Sequence, residues 1–367
     1  MLTLEVYKYI KTILRDRPLA AFEGSFGRGL GAKTFSDETR SIHVVTGEAE
    51  CRAALTQPHF RQHDFAGFVR TALPNDGTES CIASEFFESN PINLNGEKHK
   101  SSKHDFLLTF NALRKDLQPE VRSLAQRSLQ ELTDTAGGAS IVDAVSAYVD
   151  GVVGYLLGRL GADNLDPALW SGGASCIFEF FPSSARLRKK EAQVRNLLAA
   201  ISSSSLSDDP KTAIMLSFAL QGRDPIAGGL TSFLADLAGS DAAIRDEKLK
   251  NADAGSLFRA TAPVNYIGRI ATRDTQIGEL EIATGDEVLV VLTFTGVSSE
   301  RVGLAFGAGT HVCAGQALAL ELVNCWLDEL RNIYHQINWQ GLPPLRSVPA
   351  VFQQFEEIDR ERAQKST

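Results

Sequence analysis

Strand patterning occurs in only two places along this chain of 367 residues, and that confinement limits the folds open to it. The segment "SIHVVTG" at 41–47 is short and β-branched. The segment "YIGRIATRDTQIGELEIATGDEVLVVLTF" at 266–294 alternates, turns at Gly278 and Gly285, and ends in the apolar run Val288 to Leu292. A doubly wound sheet would interleave strands and helices along the whole chain, so that architecture is excluded. Elsewhere the period is helical. Residues 140–161, "SIVDAVSAYVDGVVGYLLGRLG", place apolar side chains at steps of three and four before a glycine stop, and residues 211–237 do so over a longer span. Residues 314–336 carry an inward stripe of Leu318, Leu322, Trp326, Leu327, Leu330 and Ile333. The expected fold is mainly α with a small β portion. No repeat or long low-complexity linker divides the chain, and "ISSSSLSDDP" at 201–210 reads as a loop, so residues 1–367 are expected to form a single large domain.

A net charge of −8 with no basic stripe argues against nucleic acid as a partner. Cys51, Cys81, Cys176, Cys313 and Cys325 lie far apart, with no CxxC and no zinc-type pairing with histidine, which fits a reducing compartment. The N-terminal "MLTLEVYKYIKTILRDRP" carries charges every few residues and offers neither a signal-peptide core nor a membrane anchor. No later segment reaches about 18 consecutive apolar residues. A cytoplasmic protein without a membrane partner is expected.

The chemistry concentrates in "LAFGAGTHVCAGQALALELVNCW" at 304–326. Gly307, Gly309 and Gly315 surround Cys313, so the backbone can turn tightly and lie close to something flat. The helix that follows points its N-terminal amides and positive dipole end at the sulfur, an arrangement that lowers a thiol pKa. Such a thiolate suits a metal ligand, or a nucleophile with His311 as its base. A buried structural cysteine is the third reading, and the residues alone leave all three open.

The spacing Phe306-x-x-Gly309-x-His311-x-Cys313-x-Gly315 resembles the haem-binding signature of the cytochrome P450 family at every defining position. The resemblance implies a cytochrome P450-like domain binding haem b, with the Cys313 thiolate as proximal iron ligand. It also implies Phe306 near the sulfur, His311 bonding a propionate, and Gly309 and Gly315 shaping the loop. Further matches cover nearly the whole chain. "APVNYIGRIATRD" at 262–274 looks like the segment after the family's K helix, where Arg269 falls at the position of a propionate-binding arginine. "GEKHKSSK" at 96–103 resembles the C-helix pattern, with His99 and Lys103 on one helix face toward the propionates and lysine replacing the usual arginine.

Two departures accompany the resemblance. The family's central helix carries an acid followed by threonines above the haem, whereas this chain reads Gln221-Gly222-Arg223-Asp224-Pro225-Ile226. Glycine and acid are present and both hydroxyls are gone. Pro225 has no N–H, so the carbonyl of Gln221 loses its helical donor and a kink is expected. Arg223 adds a charge expected near the distal face and hints at an anionic or polar substrate group. Arg223, Asp224 and Pro225 are therefore the candidate catalytic residues of an altered oxygen-activation step. The second departure is proximal. Ser256-Leu-Phe-Arg259 replaces Glu-x-x-Arg, and only eleven residues, "TGVSSERVGLA", join Phe294 to Phe306, with Arg301 as a possible substitute partner. On the substrate side, Phe86, Phe87, Phe178, Phe180 and Phe181 stand in segments that could wall a pocket or simply pack on the core.

The function implied is a haem-thiolate monooxygenase acting on a small-molecule substrate in specialised metabolism, with electrons from a ferredoxin-type partner. A peroxide-using or rearrangement-type enzyme without an electron partner, and a non-catalytic haem-binding protein, are the alternatives.

Overall fold

The computed structural model describes residues 2–15, 32–72, 82–133, 140–171, 184–201, 210–292, 303–348 and 352–358. Phe178, Phe180, Phe181 and Arg301 lie outside the described residues, as do Cys81 and Cys176. The helices are α1 (Leu2–Arg15), α2 (Glu48–Thr56), α3 (Phe65–Ala72), α4 (Ile82–Ser89), α5 (Gly96–Leu113), α6 (Gln118–Gln130) and α7 (Ile141–Arg159). They continue with α8 (Ser184–Ile201), α9 (Pro210–Ser217), α10 (Arg223–Gly239), α11 (Ala242–Asn251), α12 (Ala254–Thr261) and α13 (Gln316–Ile333). The strands are β1 (Lys33–Ser36), β2 (Ser41–Val45), β3 (Phe60–Gln62), β4 (Tyr266–Ala271), β5 (Thr275–Ile277), β6 (Leu280–Ile282), β7 (Glu287–Val291), β8 (Leu345–Val348) and β9 (Gln354–Glu357).

Local chemistry sets several of these boundaries. Ser140 begins α7 by accepting the Asp143 amide on its side chain, and Asp241 does the same for Ile244 at α11. A reciprocal pair starts α12: Asp253 accepts the Ser256 amide while the Ser256 hydroxyl accepts the Asp253 amide. Ser256, which the resemblance sets at a glutamate position, is thus used in a helix cap.

The sheet order is β1-β2-β7-β4-β3, with β2 parallel to β7 and the other pairs antiparallel. The sequence "EVLVV" of β7 is buried at every residue, as a central strand must be. Asp286, at its entrance, accepts the ring of buried His43 at 3.0 Å and the backbone amides of Ser41 and Ala283. Beside this sheet, α13 packs on α6, α6 on α7, and α7 on α10. Tyr148 fixes α7 to α13, its hydroxyl donating to the Leu322 carbonyl at 2.8 Å and its ring lying 6.4 Å from that of Trp326. Helix α7 is long and apolar enough to cross a bilayer by length and composition, yet Val145, Val149, Val152 and Leu156 are buried in the core.

Between α9 and α10 the winding changes, and Phe218–Gly222 form a π-helical turn. Pro225 follows three residues later and cannot donate the amide that would hold the Gln221 carbonyl in a regular helix. The expected disturbance takes the form of a widened turn just ahead of the proline. Across from it runs the loop 303–315, so α10 and the N-terminus of α13 enclose the site.

Candidate functional site

The loop before α13 turns on glycines with positive φ, at Gly303 (+52°), Gly307 (+75°) and Gly309 (+68°). At Gly309 a Cβ would also meet the Leu55 carbonyl oxygen at 2.8 Å, so both backbone and space demand glycine. The Cys313 amide donates to the Phe306 carbonyl at 2.9 Å, which closes the loop around the sulfur. A Cβ added at Gly315 would stand 3.8 Å from Cys313 Sγ and 3.6 Å from Phe110, at ordinary contact distance, so the cradle beside the sulfur has room there. Phe306 is held edge-on against Phe258, with centroids 4.9 Å apart.

Cys313 lies deep inside the molecule, yet its surface is bare. The accessible area belongs to a cavity of about 280 Å³ that Cys313, Phe306, Gly307 and Gly315 line on one side and Gln221, Gly222, Pro225 and Ile226 on the other. Burial raises the thiol pKa, and the amides of Gly315 and Gln316 together with Lys103 only partly oppose it. The helix end is aimed at the sulfur as expected, but desolvation outweighs it in the protein alone. The nucleophile reading finds no support in this geometry: among the described residues no hydrogen bond joins His311 to the thiol, and His311 Nδ1 is buried without a partner. A sulfur of this kind is suited to a cationic partner, since a coordinating thiol is deprotonated outright.

One edge of the cavity is cationic. His99 and Lys103 from α5, Arg269 from β4 and His311 all line it. The rings of His99 and His311 lie 4.0 Å apart. Burial, then the charges of His99, Arg269 and Lys103, push His311 down to about 3, and burial with Lys103 lowers His99. Lys103 Nζ donates to the Thr310 carbonyl at 2.6 Å. Arg269 is only 3% exposed and donates to Gln62 Oε1 at 2.6 Å and to the Gly268 carbonyl at 2.8 Å. No carboxylate of the described residues pairs with it, and burial lowers its pKa to about 10. A buried guanidinium without a counter-ion is costly, and so is an orphaned buried ring nitrogen. Both costs disappear when a dianionic edge of a ligand sits among them. With the bare sulfur, the apolar walls and the space over Gly315, these residues fit a haem.

The three residues singled out on the central helix separate. Pro225 lines the cavity, whereas Arg223 and Asp224 do not. The expectation that Arg223 brings charge toward the distal face differs from what is found, and Asp150 is the reason. Arg223 Nε and Nη2 donate to the two oxygens of Asp150 at 2.7 and 3.0 Å, and Nη1 reaches Asp224 at 3.1 Å. Asp150 also accepts the Trp170 indole N–H at 3.0 Å. Burial raises the Asp224 pKa despite Arg223, and its Oδ2 has no hydrogen-bond partner. Phe86 and Phe87 are fully buried and pack in the core, not on the cavity.

Sequence reasoning missed Asn90 and Ser217, which meet Gln221 on the wall opposite the loop, and Gln62, which holds Arg269. The signal for the first group was a pair of polar residues, Ser217 and Gln221, four apart in an otherwise apolar helical run.

No family model matches the chain. It is 25% identical over 318 residues to cytochrome P450-SU2 of Streptomyces griseolus, covering 76% of this chain and 77% of that one. Among solved structures it resembles cytochrome P450 TxtC, which carries out aliphatic and aromatic thaxtomin hydroxylation, with a TM-score of 0.65 at 16% identity over 93% of this chain and 99% of that one. It also resembles P450BioI in complex with a fatty-acyl carrier protein, with a TM-score of 0.66 at 16% identity over 96% of each chain. A third likeness is to the mycinamicin VIII C21 methyl hydroxylase of Micromonospora griseorubida, with a TM-score of 0.63 at 16% identity over 93% and 97% of the two chains.

Proposed function

We propose that the chain, which resembles cytochrome P450 proteins in sequence and fold, is a haem-thiolate monooxygenase of specialised metabolism, with haem b as cofactor and Cys313 as the iron ligand. The observation that carries this reading is the bare sulfur of Cys313, facing an apolar cavity whose edge holds Arg269 without a carboxylate. When bound, the haem supplies the oxidation chemistry. The chain supplies the rest. Arg269, His99, Lys103 and His311 bind and orient the cofactor's two carboxylates, and Phe306 covers the sulfur. The amides of Gly315 and Gln316 stabilise negative charge on Sγ. Phe218 and Ile226 from the central helix exclude water from the reacting side, while Phe110 and Phe258 pack beside the cysteine loop.

On the wall across from Cys313, Pro225 and Ile226 stand where the family carries hydroxyls, so no threonine there can hold a proton. The polar groups on that wall are Asn90, Ser217 and Gln221. This favours an altered oxygen-activation step, in which substrate or water takes the place of the threonine. The same observation supports a second reading, use of peroxide in place of oxygen and two electrons. Under the first, the electrons come from a separate ferredoxin-type protein. We place the enzyme in the cytoplasm, where Cys51 and Cys325 stay reduced, as they are here.

The test begins with the carbon-monoxide difference spectrum of the reduced holoenzyme. The thiolate-haem signature is expected in the wild type and is expected to vanish in Cys313→Ser. A serine variant with an unchanged spectrum overturns the ligand assignment. Turnover with a ferredoxin and its reductase, compared with peroxide alone, then separates the two oxidant readings.

A further inference from the structure

Three polar side chains from separate elements meet on the wall facing Cys313, and their hydrogen bonds have only one consistent orientation. Asn90, directly after α4, is 1% exposed and accepts the Ile92 amide on Oδ1 at 3.0 Å. Its Nδ2 therefore points the other way, donating to Ser217 Oγ at 2.7 Å and to Gln221 Oε1 at 3.0 Å. The Ser217 hydroxyl donates in turn to the Ala213 carbonyl at 2.7 Å, so it can only accept from Asn90. Backbone groups thus anchor the network at both ends and fix the amide of Gln221. Its oxygen is occupied, and its Nε2 is left buried with no hydrogen-bond partner. Rotating the Gln221 amide would set two NH₂ groups against each other, so the unpaired group is necessarily the donor.

Leaving a buried donor unmade costs free energy that a suitable acceptor recovers. Asn90, Ser217 and Gln221 all line the cavity, among apolar neighbours such as Phe65, Pro91, Ile92 and Phe352. Among the described residues no carboxylate lines it. The cations that do, His99, Lys103, Arg269 and His311, are the groups assigned above to the cofactor's two carboxylates, which leaves them committed in the holoenzyme. Arg223 is closed on Asp150 and Asp224. With those cations committed to the cofactor, Gln221 Nε2 is a neutral donor in mainly apolar surroundings, with no uncommitted charge among the described lining residues to balance an anion.

We infer that Gln221, oriented by Asn90 and Ser217, is a specificity-determining hydrogen-bond donor. The substrate it selects is a neutral, mainly apolar molecule bearing an acceptor oxygen, a carbonyl above all. The inference rests on the haem-thiolate reading, in taking the part of this cavity beside Gln221 for the substrate's and the part beside Cys313 for the cofactor's.

Holoenzyme is titrated calorimetrically with 1-tetralone, with tetralin as the same skeleton lacking the carbonyl, and with tetralin-1-carboxylate as the anion. The quantity read is the ratio of the tetralin Kd to the tetralone Kd, wild type against variant, so that differences in hydrophobicity between probes cancel. One hydrogen bond to a buried donor predicts a ratio roughly fivefold lower in Gln221→Leu. Asn90→Leu, which releases the amide, should lower it in the same direction. The carboxylate should bind no better than tetralin to either protein. An unchanged ratio in both variants, or tightest binding of the carboxylate, overturns the inference. Should Gln221→Leu fold poorly, Gln221→Glu tests the same point, because it replaces the donor by an acceptor and must also lower the ratio. The carbon-monoxide spectrum separates the two levels. A wild type without the thiolate signature defeats the haem assignment, whereas a normal spectrum with an unmoved ratio defeats only the Gln221 subsite.

Discussion

Replacing Arg223 by methionine distinguishes a helix-locking role from a role in the reaction. The guanidinium makes two short bonds to Asp150 and a third to Asp224, and the side chains of Arg223 and Asp150 are only 11% and 13% exposed. Removing one member of such a pair leaves an uncompensated buried charge, at a cost of about 3–5 kcal/mol. In this case two carboxylates are stranded, held near one another on α7 and α10. With an unfolding entropy of about 2.1 cal/mol/K per residue, a chain of this length loses roughly 1.3 °C of melting temperature per kcal/mol. A fall of about 4–6 °C is therefore expected by calorimetry of the holoenzyme. The double variant Arg223→Met with Asp150→Leu removes both charges and should recover at least half of that loss, because an apolar pair of similar volume is tolerated where a lone charge is not. Additive effects, with coupling below about 0.5 kcal/mol, would refute the pairing argument. A single variant that melts like wild type but no longer binds tetralone would refute the placement of Arg223 away from the cavity.

The neighbouring acid gives a pH prediction of definite sign. Burial raises the folded-state pKa of Asp224 above its unfolded value, so between the two the folded chain holds the extra proton. Stability contributed by this group is present at low pH and is lost as pH rises through the folded pKa. Asp224→Asn, which keeps the acceptor for Arg223, should melt at or above the wild type at pH 7, and the gap should close on acidification. A gap that widens toward low pH would count against the assignment. At the cationic edge, Arg269→Leu should act oppositely on the two forms of the protein. The apoprotein sheds a buried cation without a carboxylate and should melt no lower than wild type, while the holoenzyme should melt lower and release haem faster. Equal destabilisation of both forms would show that Arg269 serves the sheet and not the cofactor.

What was legible in the sequence follows from the range of the interactions involved. Cys313, its glycines and the helix behind it lie within a few residues of one another, so spacing alone conveys their geometry. His99 with Lys103, and Arg269, were placed by their resemblance to family motifs, and the spacing of four is consistent with His99 and Lys103 sharing a helix face. A kink was expected from the missing N–H of Pro225, which is a local fact, and the structure has a π turn at Phe218–Gly222, just ahead of it. The form of the disturbance was not legible, since a widened turn, a bend and a break each accommodate a proline. Arg223 was misplaced for the same reason: its direction depends on the winding ahead of it and on Asp150, 73 residues earlier in the chain. Asn90 and Gln221 lie 131 residues apart, and no local pattern links them.

The π turn connects these misreadings. The positions that line the cavity along this stretch are Ser217 and Phe218, Gln221 and Gly222, then Pro225 and Ile226, a repeat of four. A regular helix of 3.6 residues per turn would drift by about 40° at each step of four, and about 80° across the set, carrying the last pair off the wall. Wider winding at Phe218–Gly222 absorbs that drift, so all three pairs stay on one face. The same correction turns Arg223 and Asp224 to the far side, where Asp150 and Trp170 receive them. Pro225 and the π turn therefore act as one device. A donating residue at position 225 would favour regular winding and pull Gln221 away from Asn90, so the proline and the widened turn together set the face on which the Gln221 amide lies.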